Sequence, residues 1–182
     1  RKLKSIEMNL SEPIFTGISA AFVVGVLALL TFESPYGVWL MFSFGSTALI
    51  LFVFYDSEFA NPKNVFFGHL ISIVIGILFN QFFGISFVTL GLSVGLCVTI
   101  MMYLKIVHPP AAANPLIALF ADVSYDFILF PVLSGSVVLI VLAYLINTYI
   151  LGRPTLKKIS NSKVRLKSSK LKRKRTKKNK AA

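Results

Sequence analysis

The chain has 182 residues, 55% of them hydrophobic and only 14% charged, with a mean hydropathy of +0.77 and a formal net charge of +12. A water-soluble domain carries about 25% charged residues. The composition therefore excludes a soluble enzyme or binding domain and indicates a multi-pass integral membrane protein. The single cysteine, Cys97, excludes an intrachain disulfide, leaves the redox compartment open and reads as a small hydrophobe in an apolar tract.

Residues 1–13 form a short N-terminal segment that opens on Arg1 rather than Met, so residues upstream are expected. The apolar run that follows does not read as a signal peptide, because more membrane-like sequence follows it instead of a soluble body. The region 14–151 holds four continuous apolar segments, at 14–32, 65–83, 86–107 and 127–151. Two further segments are interrupted. Residues 35–55 carry Gly37 and the small polar group Gly45, Ser46 and Thr47. Residues 108–120 are too short to cross as an α-helix, since thirteen residues rise about 20 Å against a hydrocarbon core of about 30 Å. The expected fold is all-α: four continuous transmembrane helices plus two broken or re-entrant half-helix segments.

The two halves resemble each other. "GISAAFVVGVLALLTFESP" from Gly17 aligns with "GLSVGLCVTIMMYLKIVHP" from Gly91, and "GSTALILF" from Gly45 aligns with "ANPLIALF" from Ala113. A duplicated unit of helix, broken segment and helix is a common transporter plan. Two topologies fit: four spans with broken segments that dip in and return, or six passes with inverted repeats. Counting Lys63 and Lys105 with the basic termini on the inside leans to six; both topologies put the two termini in the cytoplasm.

Residues 152–182 close the sequence as a polar tail. Fourteen of the 19 basic residues lie from Arg153 to Lys180. Such a tail is expected to be disordered and cytoplasmic. It sets topology first, and it suits anionic lipid headgroups, where each basic residue contributes about 1 kcal/mol. Nucleic acid is the other partner of that charge.

The chemistry gathers where "LKIVHPPAAANPLIALF" breaks the oil. Pro109 and Pro110 force extended backbone beside His108, while Ala111, Ala112 and Ala113 admit close helix approach. Irregular backbone at membrane depth survives only where protein buries it or water reaches it. A half-helix starting near Asn114 and Pro115 would turn free N–H groups toward the break, a seat for a small anion beside His108 and Asn114. The facing break offers Ser43, Gly45, Ser46 and Thr47 as caps, helix-to-helix bonds or ligand donors. His69 needs a partner if buried, and Ser72 lies one turn along. His108 also reads as an interfacial histidine at a helix end. Asp56, Glu58, Asp122 and Asp126 read as solvated loop acids. Two histidines 39 positions apart make no recognisable metal set. No nucleophile with a base, phosphate loop or cofactor fingerprint occurs, so no cofactor and no enzymatic activity are expected.

"HPPAAANPLIALF", with "FGSTALILF", "NPKNVFFGHL" and "FPVLSGSVVLIVLAYLIN", resembles the signature of the HPP family of integral membrane proteins. The resemblance covers about 14–151. It implies a four-helix membrane domain and, by similarity to chloroplast and cyanobacterial members, nitrite transport. The motif positions are His108, Pro109 and Pro110, with Gly45, Asn61, Pro62, Asn64, Gly68, His69 and Pro131 as lesser matches. Relatives often carry Gly-Gly-Ala-Thr where this chain has Ala111 to Asn114. The CBS domains of some members have no counterpart, so nucleotide regulation of that kind is not expected.

The expected function is therefore a transporter or channel for a small anion, nitrite first, in the cell membrane, with substrate contacts from His108, Pro109, Pro110, Asn114, Gly45, Ser46, Thr47 and His69. Uptake is expected to rise as pH falls through histidine's range. The alternative is a non-transporting anchor or signalling module working through its basic tail. Gly25 and Gly76 would permit homo-oligomer contacts.

Overall fold

The computed structural model describes residues 11–35 and 37–153. The calls on 1–10 and on the basic tail from 154 onward lie outside the described residues. Among the described residues there are six α-helices: α1 (Ser11–Glu33), α2 (Ser43–Val53), α3 (Pro62–Phe83), α4 (Phe87–Tyr103), α5 (Asn114–Phe120) and α6 (Ser134–Leu145). No strand occurs among the described residues.

Among the described residues three helices are long and apolar enough to span a bilayer: α1, α3, and the helix from Ile128 to Ile150 that contains α6. Two of the four segments expected to be continuous differ. The third, at 86–107, stops as α4 at Tyr103, and Lys105 takes a left-handed φ of 54° that turns the chain out of the helix. The fourth, at 127–151, is kinked at Phe130 (φ −128°, ψ 116°), because Pro131 disfavours helical backbone in the residue before it.

The segments alternate in direction. Thr16 near the start of α1, Phe52 at the end of α2 and Asn147 at the end of the last helix all bond Arg153. At the opposite end Asn80 and Gln81 of α3 meet Asp122 and Tyr125. Between these ends the second broken segment runs alongside α3 and in the same direction, with Gly68 against His108, Gly76 against Pro115, and Asn80 bonded to Asp122 at 2.6 Å. It continues past α3 rather than doubling back. The first broken segment likewise runs extended from Gly37, near Phe130, and then helical to Val53. Each half is thus a helix, a broken segment and a helix, the second half pointing opposite to the first.

Short, mostly buried helices need other partners for their free backbone groups. Thr31 supplies two of these: its hydroxyl oxygen accepts from the N–H groups of Trp39 (3.0 Å) and Leu40 (3.1 Å), and donates to Leu27 O. The outer surfaces are oil: Phe32, Phe42, Phe87 and Tyr149 are more than two-thirds exposed.

Gly68 and Gly76 form the seam on which the second broken segment lies. A Cβ at Gly76 would sit 2.7 Å from Pro115 Cα and 2.7 Å from Ala118 Cβ, neither of which yields easily. At Gly25 an added Cβ meets nothing within 4 Å. Gly76→Ala is therefore expected to destabilise the purified protein by about 1–3 kcal/mol through overpacking. Gly25→Ala is expected to leave the thermal midpoint in detergent unchanged, and equal midpoints for the two variants would refute the seam.

Candidate functional site

The two breaks meet. Ser43 opens α2, Asn114 opens α5, and Ser43 Oγ donates to Asn114 Oδ1 at 2.8 Å although 71 positions separate them. Around this contact His69, Ser72, Thr47, His108 and Asn114 are all fully buried.

Each side chain arrives for a local reason. Asn61 caps α3 by accepting from Lys63 N, and Pro62 pre-sets its first turn, which places His69 two turns in. His108 stands in extended backbone (φ −130°, ψ 101°), as a residue before proline should. Residues Pro109–Ala113 then wind as a 3-10 turn into α5. Thr47 lies one turn into α2, on the same face as Ser43.

The hydrogen-bond partners fix which nitrogen carries each proton. His108 Nδ1 lies 2.8 Å from Phe59 O, and a carbonyl only accepts, so Nδ1 is protonated and Nε2 of the neutral ring is bare. Asn114 Nδ2 lies 3.2 Å from His69 O, which fixes the amide's orientation by the same rule. That amide also donates to Ser72 Oγ at 2.9 Å and faces His69 Nδ1 at 3.0 Å. His69 Nδ1 is therefore the bare nitrogen, and Nε2–H points to Thr47 Oγ1 at 2.9 Å. The two rings hold opposite tautomers. Thr47 Oγ1 stands between them, 3.0 Å from His108 Nε2 and 2.9 Å from Ser43 O. The rings also meet edge to face, centroids 4.9 Å apart, and Phe44 packs on His69 at 5.2 Å.

Of the eight residues read from the sequence, His69, His108, Thr47 and Asn114 come together here. Pro110 is buried in the 3-10 turn beside them, and Pro109 is exposed. Gly45 and Ser46 face away. Ser46 is exposed and donates to Ser43 O, while Gly45 lines an apolar cavity of about 370 Å³ with Phe42, Ile117 and Phe127. The reason is helical phase: Ser43 and Thr47, four apart, share the inner face, which turns 45 and 46 outward.

The N–H groups anticipated as free for an anion are partly taken. Asn114 N bonds Ala111 O, and Phe44 N bonds Met41 O, because both helices start through tight turns. The polar chemistry of the junction therefore lies in side chains. Three contributors stand outside those eight residues: Ser43, offered as a cap or donor, Ser72, offered as a partner for His69, and the carbonyl of Phe59, which no side-chain pattern reveals. Ser72 touches His69 through its backbone oxygen, while the ring itself finds Thr47 and Asn114.

Toward the Arg153 end, an open cavity of about 340 Å³ is lined by Glu58, Phe59, Asn64, Met102, Lys105 and Val107. It abuts the carbonyl partner and the chain neighbour of His108. Among the described residues no group of three His, Cys, Asp or Glu could hold a metal ion.

With this geometry in place, known proteins supply the lineage. The HPP transmembrane region matches residues 5–155. The chain belongs to the HPP family. Two transmembrane proteins of Dictyostelium discoideum are similar to this HPP protein. One is 28% identical over 152 residues, covering 78% of this chain and 53% of the relative. The other is 26% identical over 155 residues, covering 79% and 50%. The chain thus spans about half the length of these curated relatives. No solved structure matches it significantly. The histidine of the family's His-Pro-Pro is His108, whose ring Phe59 O fixes and whose backbone Pro109 holds extended; Pro109 and Pro110 themselves begin the 3-10 turn instead of the extended stretch expected of them.

Asn114 serves four acceptor or donor partners at once, and its loss would strand several of them in a dry interior. Asn114→Ala is expected to cost about 2–3 kcal/mol of stability. Ser46→Ala is expected to stay within about 0.5 kcal/mol of the parent. Chemical unfolding in detergent checks both, and an Asn114→Ala protein as stable as Ser46→Ala would refute the network.

Proposed function

We propose that this HPP protein moves a small inorganic anion across the membrane, with nitrite as the first candidate. One observation carries the reading: two interrupted segments from oppositely directed halves bring Thr47, His108 and Asn114 together, fully buried, against His69 of α3. Membrane domains use broken helices in this way to place polar groups at a substrate site near mid-depth. A passive anchor has no need of them. The six alternating segments are six passes, and Lys63, Lys105 and Arg153 gather at one end, which positive-inside counting assigns to the cytoplasm. Both chain ends lie on that side, and the basic tail meets anionic lipid there.

The anion approaches through the cavity beside Lys105 and Phe59. It is held by side-chain donors, the hydroxyls of Ser43 and Thr47 and the amide of Asn114, which hold one another in the closed arrangement. Exchanging internal hydrogen bonds for bonds to the anion opens the junction. No enzymatic step and no cofactor enter this reading. The nitrite assignment comes from the family resemblance and not from the site's dimensions.

Flux into proteoliposomes tests it, comparing nitrite, nitrate, formate and chloride and subtracting protein-free vesicles, because neutral acid forms cross lipid unaided. Protein-dependent uptake of at least one anion is expected. His108→Ala is expected to lower it at least about tenfold, equivalent to about 1.4 kcal/mol, while helicity and expression stay near normal. Parental flux of every anion in His108→Ala would make the histidine structural.

A further inference from the structure

The ring of His108 bonds both inward and outward. Inward, the donors are matched: Ser46 Oγ supplies Ser43 O at 2.9 Å, which leaves the Thr47 hydrogen for His108 Nε2 at 3.0 Å. Outward, Nδ1–H donates to Phe59 O at 2.8 Å. Phe59 belongs to the 3-10 turn Glu58–Ala60 and lines the open cavity of about 340 Å³ at the Arg153 end. Its carbonyl meets the sealed ring, so this one turn stands between the cavity and the junction. The neighbouring carbonyl is held as well: Asn64 Nδ2, buried and lining the same cavity, donates to Glu58 O at 2.9 Å. Lys105 lines that cavity too, at a φ of 54° where side chains other than glycine are uncommon. Two N–H donors, one from α3 and one from the His-Pro-Pro break, thus aim at adjacent carbonyls of one short turn, with an ammonium beside them. The turn is not itself fully satisfied. Ser57 Oγ, where it begins, is buried and meets no hydrogen-bond partner, a cost that outward movement relieves. Asn61 N donates to Glu58 O at 3.1 Å, so the turn keeps an internal bond when it moves.

We propose that Asn64, Lys105 and the Nδ1–H of His108 form an occluded anion-binding position, which a small monovalent oxyanion opens by displacing the Glu58–Ala60 turn. This rests on the anion-transport reading and names the anion's first contacts and its gate at the Arg153 end. The carbonyls of Glu58 and Phe59 stand in for the oxygens of the anion. Hydrogen bonds to a charged acceptor are about twice as strong as those between neutral groups, so the anion competes well for both donors. Lys105 supplies the opposite charge that offsets lost hydration. The exposed carboxylate of Glu58 lines the same cavity and repels an anion there. It rides on the turn and leaves with it. The ring stays neutral and keeps its bond to Thr47, so an anion on Nδ1 sits one imidazole away from the junction.

The test follows the turn. Cys97 is the chain's one cysteine, so Ser57→Cys in a Cys97→Ala background puts a single thiol where the buried hydroxyl was. Its alkylation by a maleimide is timed in the full-length protein in micelles, in mildly alkaline buffer where nitrite does not nitrosate thiols. Nitrite is expected to speed labelling at least about fivefold over gluconate of equal ionic strength, the scale of an ordinary coupling between a ligand and a conformational change. Lys105→Asn keeps a residue suited to left-handed backbone and removes only the charge. It is expected to raise the nitrite concentration for half-maximal effect about two- to fivefold, as for an exposed ion pair, and to leave the nitrite-free rate unchanged. Asn64→Ala, which drops one bond to the turn and one donor to the anion, is expected to label faster without nitrite and to respond less to it. The chain's two histidines give two rings in ¹⁵N-histidine spectra, assigned by His69→Gln, and nitrite is expected to move the His108 Nδ1 resonance over the same concentrations. Labelling indifferent to nitrite, a Lys105→Asn response equal to the parent's, or an unmoved Nδ1 resonance overturns the proposal. Nitrite-dependent labelling with no protein-dependent flux in proteoliposomes upholds the site and overturns the transport reading. Flux with nitrite-indifferent labelling does the reverse.

Discussion

The hydroxyl of Thr47 is the point through which the two halves of the molecule are joined. It touches a histidine from α3, a histidine from the second broken segment and the backbone of its own helix, all within 3.0 Å. In water such contacts would be worth little, because solvent would replace any that failed. Within a sealed interior, each unmet donor or acceptor keeps its full desolvation penalty, about 1–3 kcal/mol. The positions of α2, α3 and the 3-10 turn are therefore tied to one another by chemistry that tolerates little slippage. A one-residue shift of α2 would carry Thr47 off the shared face and place Ser46 or Ala48 there.

The rest of the fold holds that geometry from both ends. Arg153 is a clamp at one end, donating to Phe52 O at 2.6 Å, Asn147 Oδ1 at 3.0 Å and Thr16 Oγ1 at 2.8 Å, with its guanidinium 4.7 Å over the ring of Tyr55. Its nearby carboxylate, Glu12, is 3.7 Å away and three-quarters exposed, so the carbonyl and the hydroxyl matter more than the ion pair. At the other end Asn80 bonds Asp122, and Tyr125 bonds Gln81. Between the clamps, the glycine seam of α3 lets the broken segment lie close enough for His108 and Asn114 to reach inward.

Much of this was legible as composition and punctuation. The apolar runs marked the helices without all of their breaks, the prolines marked the break at His108, and the lysine distribution leaned toward six alternating segments over four. Where the reading fell short, the cause was geometry that single-residue chemistry does not carry. Gly45 and Ser46 looked equivalent to Thr47 because small polar residues cluster there; only the helical phase of α2, set by its start at Ser43, separates inner from outer. The kink at Phe130 lay in a run whose hydropathy is uninterrupted, although Pro131 was a visible warning. Phe59 entered through a backbone carbonyl, so its side chain gave no hint. Some of the free N–H groups expected at the helix starts were taken by the tight turns, a detail that depends on i to i+3 bonding rather than on residue type.

Asn114 gives the site its direction. Relatives in the resemblance often place threonine at that position, and a threonine hydroxyl has one hydrogen where the carboxamide has two. In this chain those two hydrogens are shared among Ser72 Oγ, His69 O and His69 Nδ1, while the amide oxygen accepts from Ser43. A threonine already bonded to Ser72 would have no hydrogen left for His69 Nδ1. The ring of His69 could then carry its proton on either nitrogen, and its donation to Thr47 would no longer be enforced. The polarity of the chain from Asn114 through His69 and Thr47 to His108 is thus set by one amide at the first residue of α5. A protein with Asn114 holds the two histidines in fixed, opposite tautomers, one on either side of the Thr47 hydroxyl.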